Sequence, residues 1–240
     1  MLKNIVHFFV LLFISQNCFG NYRTFTENQV KYGVFQAEAD KVSFHWKDPQ
    51  GKNYRSLTAL KNALSETHHI QMLMNGGIYD KNNEPAGLWI EQGKTLKKLN
   101  TKRGTGNFHI QPNGVFAITK GKAQILTTQN YQKAKLKPDW AMQSGPMLII
   151  NGKPNRQFKP GLQSVYKRNA VCVTKENKLY FFMTLSGEPN MYHLTQALLK
   201  QDCYNALYLD GSISNWYITG KFNSFHWQDF VGIIAVGVKK

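Results

Sequence analysis

The sequence predicts an α+β fold: a single domain with a largely antiparallel or mixed twisted sheet and a few packed helices. Many short segments are rich in β-branched and aromatic residues and end at turn residues, as β-strands do. Two segments have helical periodicity, and strands and helices do not alternate regularly. The lack of alternation argues against a dinucleotide-binding fold and a TIM barrel, because both are built from repeated βα units.

The first twenty residues have the plan of a secretory signal peptide. Lys3 precedes the apolar run 5–14, and a short polar segment leads to Gly20. The apolar run is shorter than the roughly 20 residues that a membrane-spanning helix needs. The residues before Cys18 are too polar for a lipid-attachment site. We therefore expect residues 1–20 to be removed, residues 21–240 to form the domain, and the protein to be periplasmic or secreted.

The predicted elements of the first half are mostly strands. Strands are expected at Val30–Ala37 and Val42–Trp46, and a third, "IQMLM", stops at Asn75. Between them, Ser56 is a good N-cap for the stretch "SLTALKNALSE", whose leucines and Ala63 share one helical face.

The second half continues the pattern. Strands and turns are predicted in "GLWIEQGK", "GNFHIQPNGVFAITKGKAQIL" and "WAMQSGPMLIINGK", and a hairpin is predicted in "NAVCVTKENKLYFFMTL". The stretch "NMYHLTQALLKQ" is the second predicted helix, with Asn190 as its N-cap. The segments "ALYLD" and "VGIIAVGV" complete the strands.

The chain is strongly basic, with a formal net charge of +16 and a pI near 9.7. This balance favours acidic partners, and export argues against nucleic acid among them. The lysines are scattered, so a solvated surface and an electrostatic association with an anionic envelope both remain open. We expect a monomer or a weak dimer. Cys172 and Cys203 lie in or beside predicted strands, and the sequence leaves open whether they form a disulfide.

Four strand ends share one composition: "LMNGGIYD", "AMQSGPML", "VYKRNAVC" and "LYLDGSIS". In each, a polar residue follows or borders an apolar strand, and small residues that allow close approach of a ligand accompany three of them. Turn geometry or loop capping explains any single end, whereas four together indicate a site. The candidate residues are Asn75, Gly76, Gly77, Gln143, Ser144, Gly145, Arg168, Asp210, Gly211, Ser212 and Ser214.

Motifs of several common chemistries are absent from the sequence. It contains no GxSxG elbow, no HExxH, no CxxC pair and no EF-hand loop, so we expect no metal site and no cofactor. His109, in the predicted strand segment "GNFHIQPNG", is kept as a further substrate-binding candidate.

Several motifs together resemble the phosphodiester glycosidase family, which includes the mammalian uncovering enzyme and many exported bacterial proteins. The segments "MNGGIYD", "PAGLWIEQGK", "GNFHIQPNGVF", "QSGPMLIINGK", "RNAVCV" and "NALYLDGSIS" occur in the order and at roughly the spacing of that family. The resemblance runs from about Val30 to the C-terminus and is nearest to the bacterial branch.

The resemblance implies hydrolysis of a bond between the anomeric carbon of a sugar, such as N-acetylglucosamine, and a phosphodiester. Asp210 would be the nucleophile or the base that activates water, and Arg168 would hold phosphate oxygens. The other candidates would hydrogen-bond the sugar or the phosphate. No second catalytic carboxylate is identified, because Asp80 and Glu84 lie in a loop that varies within the family pattern and Glu91 lies on a predicted strand away from the loops. A phosphate leaving group needs less protonation than a sugar alcohol.

Two other functions are weighed against this one. The first is a noncatalytic protein that binds anionic glycans or cell-envelope polymers. The second is a phosphodiesterase that cleaves the other P–O bond, which the absence of His/Asp metal clusters disfavours.

Overall fold

The computed structural model describes residues 21–221 and 229–240. The predicted signal peptide, residues 1–20, lies outside this described part, so it stays a prediction. No helix within these two ranges is long and apolar enough to cross a membrane.

The described residues form sixteen strands and three α-helices. The strands are β1 (Tyr22–Glu27), β2 (Val30–Ala37), β3 (Val42–His45), β4 (His68–Asn75), β5 (Trp89–Glu91), β6 (Lys94–Lys97), β7 (Gly114–Thr119), β8 (Lys122–Thr127), β9 (Trp140–Ser144), β10 (Met147–Ile150), β11 (Lys153–Pro154), β12 (Asn169–Thr174), β13 (Leu179–Ser186), β14 (Cys203–Asp210), β15 (Trp216–Ile218) and β16 (Ile233–Lys239). The helices are α1 (Leu57–Ser65), α2 (Thr128–Ala134) and α3 (Met191–Leu199).

The strands form three sheets, in which the described neighbours pair antiparallel. Their orders are β1-β2-β13-β12-β14-β10-β11, β15-β4-β16-β3 and β6-β5-β9-β7-β8. One apolar cluster joins all three, with Phe35 from the first sheet, Phe44 from the second and Phe116 from the third. The predicted α+β class is confirmed in the coarse sense of a compact, mostly β, antiparallel domain, whereas the expected single sheet is corrected to three.

Both predicted helices begin where their caps indicated. The Ser56 hydroxyl accepts a hydrogen bond from the Ala59 amide at 3.0 Å, and the Asn190 side chain accepts one from the His193 amide at 2.9 Å. Each cap satisfies a backbone N–H group that the first helical turn leaves without a partner.

Several local assignments differ from the sequence expectation, among them the short strand β15, which was not predicted. Strand β1 and helix α2 were not predicted: β1 has no buried residue, and α2 buries Thr128 alone. Neither therefore has the apolar periodicity that marks a strand or a helix in a sequence. Residues Asn107–His109 form a 3₁₀ turn, so His109 does not lie on a strand.

Cys172 and Cys203 form a disulfide, with their Cα atoms 5.7 Å apart. The bridge joins strands β12 and β14, which pair side by side over their whole length. At the opposite end of this strand pair, Asn169 lies opposite Asp210. The disulfide therefore fixes one end of the two strands whose other end carries the candidate carboxylate.

Candidate active site

Asp210 lines a cavity of about 380 Å³. The residues around it come from the loop after β4, the 3₁₀ turn at 107–109, the segment before β12, and the end of β14. They are Ile78, Tyr79, Asn107, Tyr166, Tyr208, Asp210, Gly211 and Ser212. A cavity of this size is within the range of small-molecule sites, and Asp210 is the carboxylate among its lining residues.

The Asp210 side chain is held by the loop that follows it. Its Oδ1 accepts hydrogen bonds from the amides of Gly211, at 2.5 Å, and Ser212, at 3.2 Å. The small loop residues allow this tight turn, in which an Asp side chain bonds the backbone that follows. Its Oδ2 accepts one longer bond, from Asn75 Nδ2 at 3.3 Å. By these distances, the shortest bond to the carboxylate is made at Oδ1 and the longest at Oδ2.

Burial raises the pKa of Asp210 above its ordinary value. The side chain is largely removed from water, with 8% of the residue exposed. Hydrogen bonds from the amides of Gly211, Ser212 and Ile213 and from Asn75 act in the opposite direction, because they stabilise the ionised form. Burial is the largest of these effects, so the ionised carboxylate is more basic than that of a solvated aspartate.

Two buried asparagines, Asn75 and Asn169, hold Asp210 in place through hydrogen bonds. Asn169 donates from Nδ2 to the Asn75 carbonyl at 3.0 Å and to Asn75 Oδ1 at 3.1 Å. Its Oδ1 accepts from the Asp210 amide at 2.8 Å and the Ser214 hydroxyl at 3.3 Å. Because Asn75 belongs to β4 and Asn169 to β12, the network joins two sheets. The sequence analysis did not select Asn169, although it stands in the matched segment "RNAVCV".

Arg168 lies behind the cavity wall and is fully buried. Its Nε donates to the Pro189 carbonyl at 2.8 Å and its Nη1 to the Tyr208 hydroxyl at 2.9 Å. Its Nη2 donates to the Ser164 carbonyl at 2.7 Å and hydroxyl at 3.2 Å. A direct two-pronged hold on phosphate would require some of these bonds to break. None of the ion pairs among the described residues includes Arg168, so its charge has no paired carboxylate there.

The glycines near Asp210 allow close packing. A Cβ atom on Gly77 would lie 2.8 Å from the Ser144 Cβ, and the Ser144 hydroxyl donates to the Leu209 carbonyl at 3.2 Å. The Gly76 amide donates to the Gly232 carbonyl at 2.7 Å. These groups pack beside the end of β14, whereas Gly211 and Ser212 line the cavity itself. Ser214 is buried, and its hydroxyl also contacts the Asp210 carbonyl, at 3.1 Å.

The structure does not bring Gln143, Gly145 or His109 to the cavity lining. A Cβ on Gly145 would lie 2.7 Å from the Asn113 Cβ, so this glycine serves a close approach elsewhere. His109 Nδ1 lies 3.1 Å from the Lys102 carbonyl.

Gln143 has its own network. Its Oε1 accepts from the amides of Leu88, at 3.1 Å, and Asn100, at 2.8 Å. Its Nε2 donates to the Asn100 carbonyl at 2.8 Å and to the Thr128 hydroxyl at 3.1 Å. All four hydrogen-bonding positions of the amide are filled.

Three tyrosines of the cavity were not selected from the sequence. Tyr208 stands two residues before Asp210 on β14, and both residues line the cavity although the register with β12 shifts between them. Its hydroxyl receives hydrogen bonds from Arg168 and Asn107, and burial raises its pKa. Burial, followed by the charges of Asp210 and Asp229, raises the pKa of Tyr79. Both phenols therefore stay protonated at neutral pH. Tyr166 is the third tyrosine that lines the cavity.

Among the described residues, the other carboxylates do not line the cavity. Asp80 and Glu84 contact Lys97, and Glu91 accepts hydrogen bonds from the Trp46 amide and Trp89 Nε1, both at 2.7 Å. Within residues 21–221 and 229–240, no group of three or more His, Cys, Asp or Glu side chains is placed to hold a metal ion.

The family model described as phosphodiester glycosidase matches residues 68–230. This range covers more than half of the chain and contains Asn75, Asn169 and Asp210. The chain belongs to the phosphodiester glycosidase family. The resemblance seen in the sequence is thereby confirmed, and the cavity around Asp210 is the candidate active site of a member of this family.

Among known proteins, the chain is 33% identical to the uncharacterized protein YigE of Escherichia coli (strain K12) over 204 residues. The match covers 85% of this chain and 79% of YigE. Its fold is similar to the catalytic domain of zebrafish N-acetylglucosamine-1-phosphodiester alpha-N-acetylglucosaminidase, which is auto-inhibited by its pro-peptide. That match has a TM-score of 0.65 at 17% identity and covers 90% of this chain and 81% of the zebrafish domain.

A hypothetical protein from Synechocystis also has a similar fold, with a TM-score of 0.56 at 13% identity. The match covers 90% of this chain and 61% of the Synechocystis chain. At such identities, the two structural matches show a shared fold.

Proposed function

We propose that the protein is an exported hydrolase that cleaves the bond between the anomeric carbon of a sugar and a phosphodiester. N-acetylglucosamine is the first sugar to test, because the zebrafish protein of similar fold is named for it. The observation that carries the proposal is the buried, rigidly held carboxylate of Asp210 in the cavity of a phosphodiester glycosidase fold.

Asp210 acts as the nucleophile at the anomeric carbon or as the base that activates water. Two backbone amides donate to its Oδ1, whereas the bond that Oδ2 accepts from Asn75 is longer, at 3.3 Å. The Oδ2 atom is therefore the one available to a sugar carbon or to a water molecule. Because burial raises the pKa of this carboxyl group, its ionised form is the stronger base and the stronger nucleophile.

A single carboxylate in the cavity suits a phosphate leaving group. The oxygen that departs belongs to a phosphate monoester, which is a weaker base than a sugar alkoxide and needs less protonation. The hydroxyl of Tyr79 and the amide of Asn107 add neutral donors. Neutral donors stabilise the negative charge of the leaving group without repelling the approaching substrate.

In this proposal, the buried Arg168 stabilises the phosphate by its positive charge, through Tyr208, which lines the cavity. Its Nη1 bonds the Tyr208 hydroxyl, and hydrogen-bonded groups in series polarise one another in a low-dielectric site. The absence of a paired carboxylate among the described ion pairs leaves this charge available to an anion in the cavity.

Export and localisation in the periplasm or outside the cell are part of the proposal. Disulfides persist in oxidising compartments, so the Cys172–Cys203 bridge supports it alongside the signal-like segment 1–20. The basic charge of the chain is compatible with an anionic envelope or an anionic substrate.

The test is release of N-acetylglucosamine from a panel of its phosphodiesters and UDP-GlcNAc by the protein and by Asp210→Asn, with and without chelator. We expect the substitution to lower turnover by about 10²–10⁴-fold, the usual contribution of a catalytic acid or base. Asp202→Asn is the matched control, because Asp202 is exposed in a turn at a φ of 58° that asparagine also tolerates.

The outcomes separate the alternatives. Wild-type turnover by a folded Asp210→Asn variant would exclude Asp210 from catalysis. Binding of the phosphodiesters without any turnover by the wild type would favour the noncatalytic glycan-binding function. Turnover that chelator abolishes would point to a metal-dependent reaction, which the proposal does not include.

A further inference from the structure

Exposed apolar side chains are concentrated in one segment, and one residue of that segment, Tyr166, lines the cavity. Leu162, Val165 and Tyr166 are 36%, 42% and 47% exposed, and they lie within five residues of one another. In the described part of the chain, Val238 is the fourth large apolar residue exposed to this extent, at 39%. Single exposed apolar residues are ordinary, whereas a cluster of them beside a cavity indicates a binding surface.

We name residues 159–167 the rim segment. It joins the cavity directly, because Tyr166 is one of the residues that line it. The ring of Tyr166 also lies over the Arg168 guanidinium, with the Arg168 Cζ 5.4 Å from its centre. The apolar surface of the rim segment is therefore continuous with the site that contains Asp210.

Hydrogen bonds hold the backbone of the rim segment in place. Asn190 Nδ2 donates to the Leu162 carbonyl at 2.9 Å, and Arg168 Nη2 donates to the Ser164 carbonyl at 2.7 Å. The Tyr166 amide donates to the Pro189 carbonyl at 3.4 Å. Because these hydrogen bonds fix the backbone, the segment presents its apolar side chains to solvent in a defined place. The loss of conformational entropy on binding is therefore small.

We infer that the rim segment binds an apolar chain carried by the phosphodiester substrate. The inference rests on the proposed function and names its substrate class: a sugar phosphodiester whose second alcohol substituent is, or carries, a long apolar chain. A phosphodiester has two substituents, and the sugar must occupy the cavity for its anomeric carbon to meet Asp210. The second substituent then extends out of the cavity past Tyr166, and the exposed Leu162 and Val165 belong to the same short segment as Tyr166.

The charges of the rim segment fit the same substrate. It contains Lys159 and Lys167 and no acidic residue. The rim segment therefore carries cationic and apolar side chains together, and an amphiphilic phosphodiester likewise carries a phosphate and an apolar chain together. The cavity, at about 380 Å³, is near the lower end of small-molecule sites, so a long chain must extend beyond it.

The test compares two soluble substrates, the methyl and the octyl phosphodiesters of N-acetylglucosamine, below the concentration at which the octyl compound forms micelles. Each methylene that the rim segment removes from water favours binding by at most about fourfold. With partial burial of the chain, we expect the wild type to have a KM about tenfold lower for the octyl compound.

The variants are Leu162→Ser/Val165→Ser and, as the matched control, Val238→Ser. We expect the ratio of KM values for methyl and octyl substrates to fall towards one in the rim variant and to stay at the wild-type value in the control. Equal KM values for both compounds in the wild type, or a preference that survives in the rim variant, would overturn the inference.

Calorimetric titration of both compounds into the same three proteins keeps the inference separate from the proposed function. If the wild type hydrolyses neither compound, the proposed function fails with these substrates. The difference in Kd between octyl and methyl compounds then decides whether the rim segment binds the chain. Loss of that difference in the rim variant supports the inference, and its absence in the wild type refutes it.

Discussion

Two buried polar clusters of this domain look alike in sequence and differ in the structure. Gln143 and Asp210 both follow apolar strands, and each stands beside small residues. The Gln143 amide has a partner at all four of its hydrogen-bonding positions. The Asp210 carboxylate has one oxygen that accepts from two backbone amides and one whose bond from Asn75 is long, at 3.3 Å, and it lines a cavity. A polar residue at a strand end thus predicts a buried hydrogen-bond network. What distinguishes the candidate active site is that its polar residue, Asp210, also lines a cavity.

The comparison is sharpened most by Asn169→Ala and Gln143→Ala. Each substitution leaves several buried groups without their hydrogen-bond partners. We therefore expect each to lower the free energy of unfolding by about 4 kcal/mol. For protein that remains folded, we expect kcat to fall by about 100-fold in Asn169→Ala alone, because Asn169 holds Asn75 and the Asp210 amide. Denaturant unfolding and kinetics at a temperature where both variants are folded provide the measurement.

Equal effects on kcat would contradict the division between the two clusters. If both variants lost turnover in proportion to stability, the Asp210 network would have no positioning role of its own. A KM change without a kcat change in Asn169→Ala would place Asn169 in substrate binding instead.

The disulfide separates global stability from site geometry. Replacing both Cys172 and Cys203 by alanine should lower the free energy of unfolding by about 3 kcal/mol, since the bridge closes a loop with a sequence separation of 31 residues. The bridge lies at the end of the β12–β14 pair away from Asp210, so kcat of the folded variant should change less than twofold. A large loss of kcat would show that the strand pair transmits distortion along its length.

The last prediction concerns pH and requires no substitution. Burial raises the pKa of Asp210, so kcat/KM should fall about tenfold per unit as pH drops through a value above 3.8. Because the pKa is raised in the folded state, protonation of Asp210 favours folding, and its stabilising contribution is lost as pH rises through that pKa. The acid loss of activity should therefore not follow unfolding.

The measurement is kcat/KM and the free energy of unfolding of the same protein between about pH 4 and 7. Gln143 has no titratable group, so it contributes nothing to either profile. An activity limb at the pKa of a solvated aspartate would show that burial does not control this carboxyl group.

The sequence predicted the antiparallel, mostly β architecture and the helix caps because those depend on local patterns. Ser56 and Asn190 satisfy amides of the turn that follows them, and the strands have enough β-branched and aromatic residues to be recognised. Strand β1 and helix α2 depend on pairing and on capping rather than on an apolar face. The number of sheets is decided by contacts between distant segments, which periodicity does not contain.

For the candidate site, the sequence placed Asp210, Gly211 and Ser212 together because they are neighbours in the chain. It selected Asn75, which the structure puts within 3.3 Å of Asp210, but not Asn169. The residue beside it, Arg168, was chosen for its charge, and the β12 register that turns Asn169 towards Asp210 is a tertiary property. Gln143 was selected for the same reason as Asp210, since composition does not show which partners an amide will find.

The space around Gly211 leaves no room for a side chain at this position. A Cβ atom there would overlap the Tyr208 hydroxyl and approach Arg168 Nη1 to 2.9 Å. The obstruction is set by the first carbon of any side chain, so serine would fit no better than leucine. Residues 208 and 211 are therefore coupled as a pair, and a larger residue at 211 becomes admissible once the phenol at 208 is shortened. Substitutions at positions 208 and 211 are therefore limited by side-chain volume, whereas substitutions at Asp210 are limited by charge.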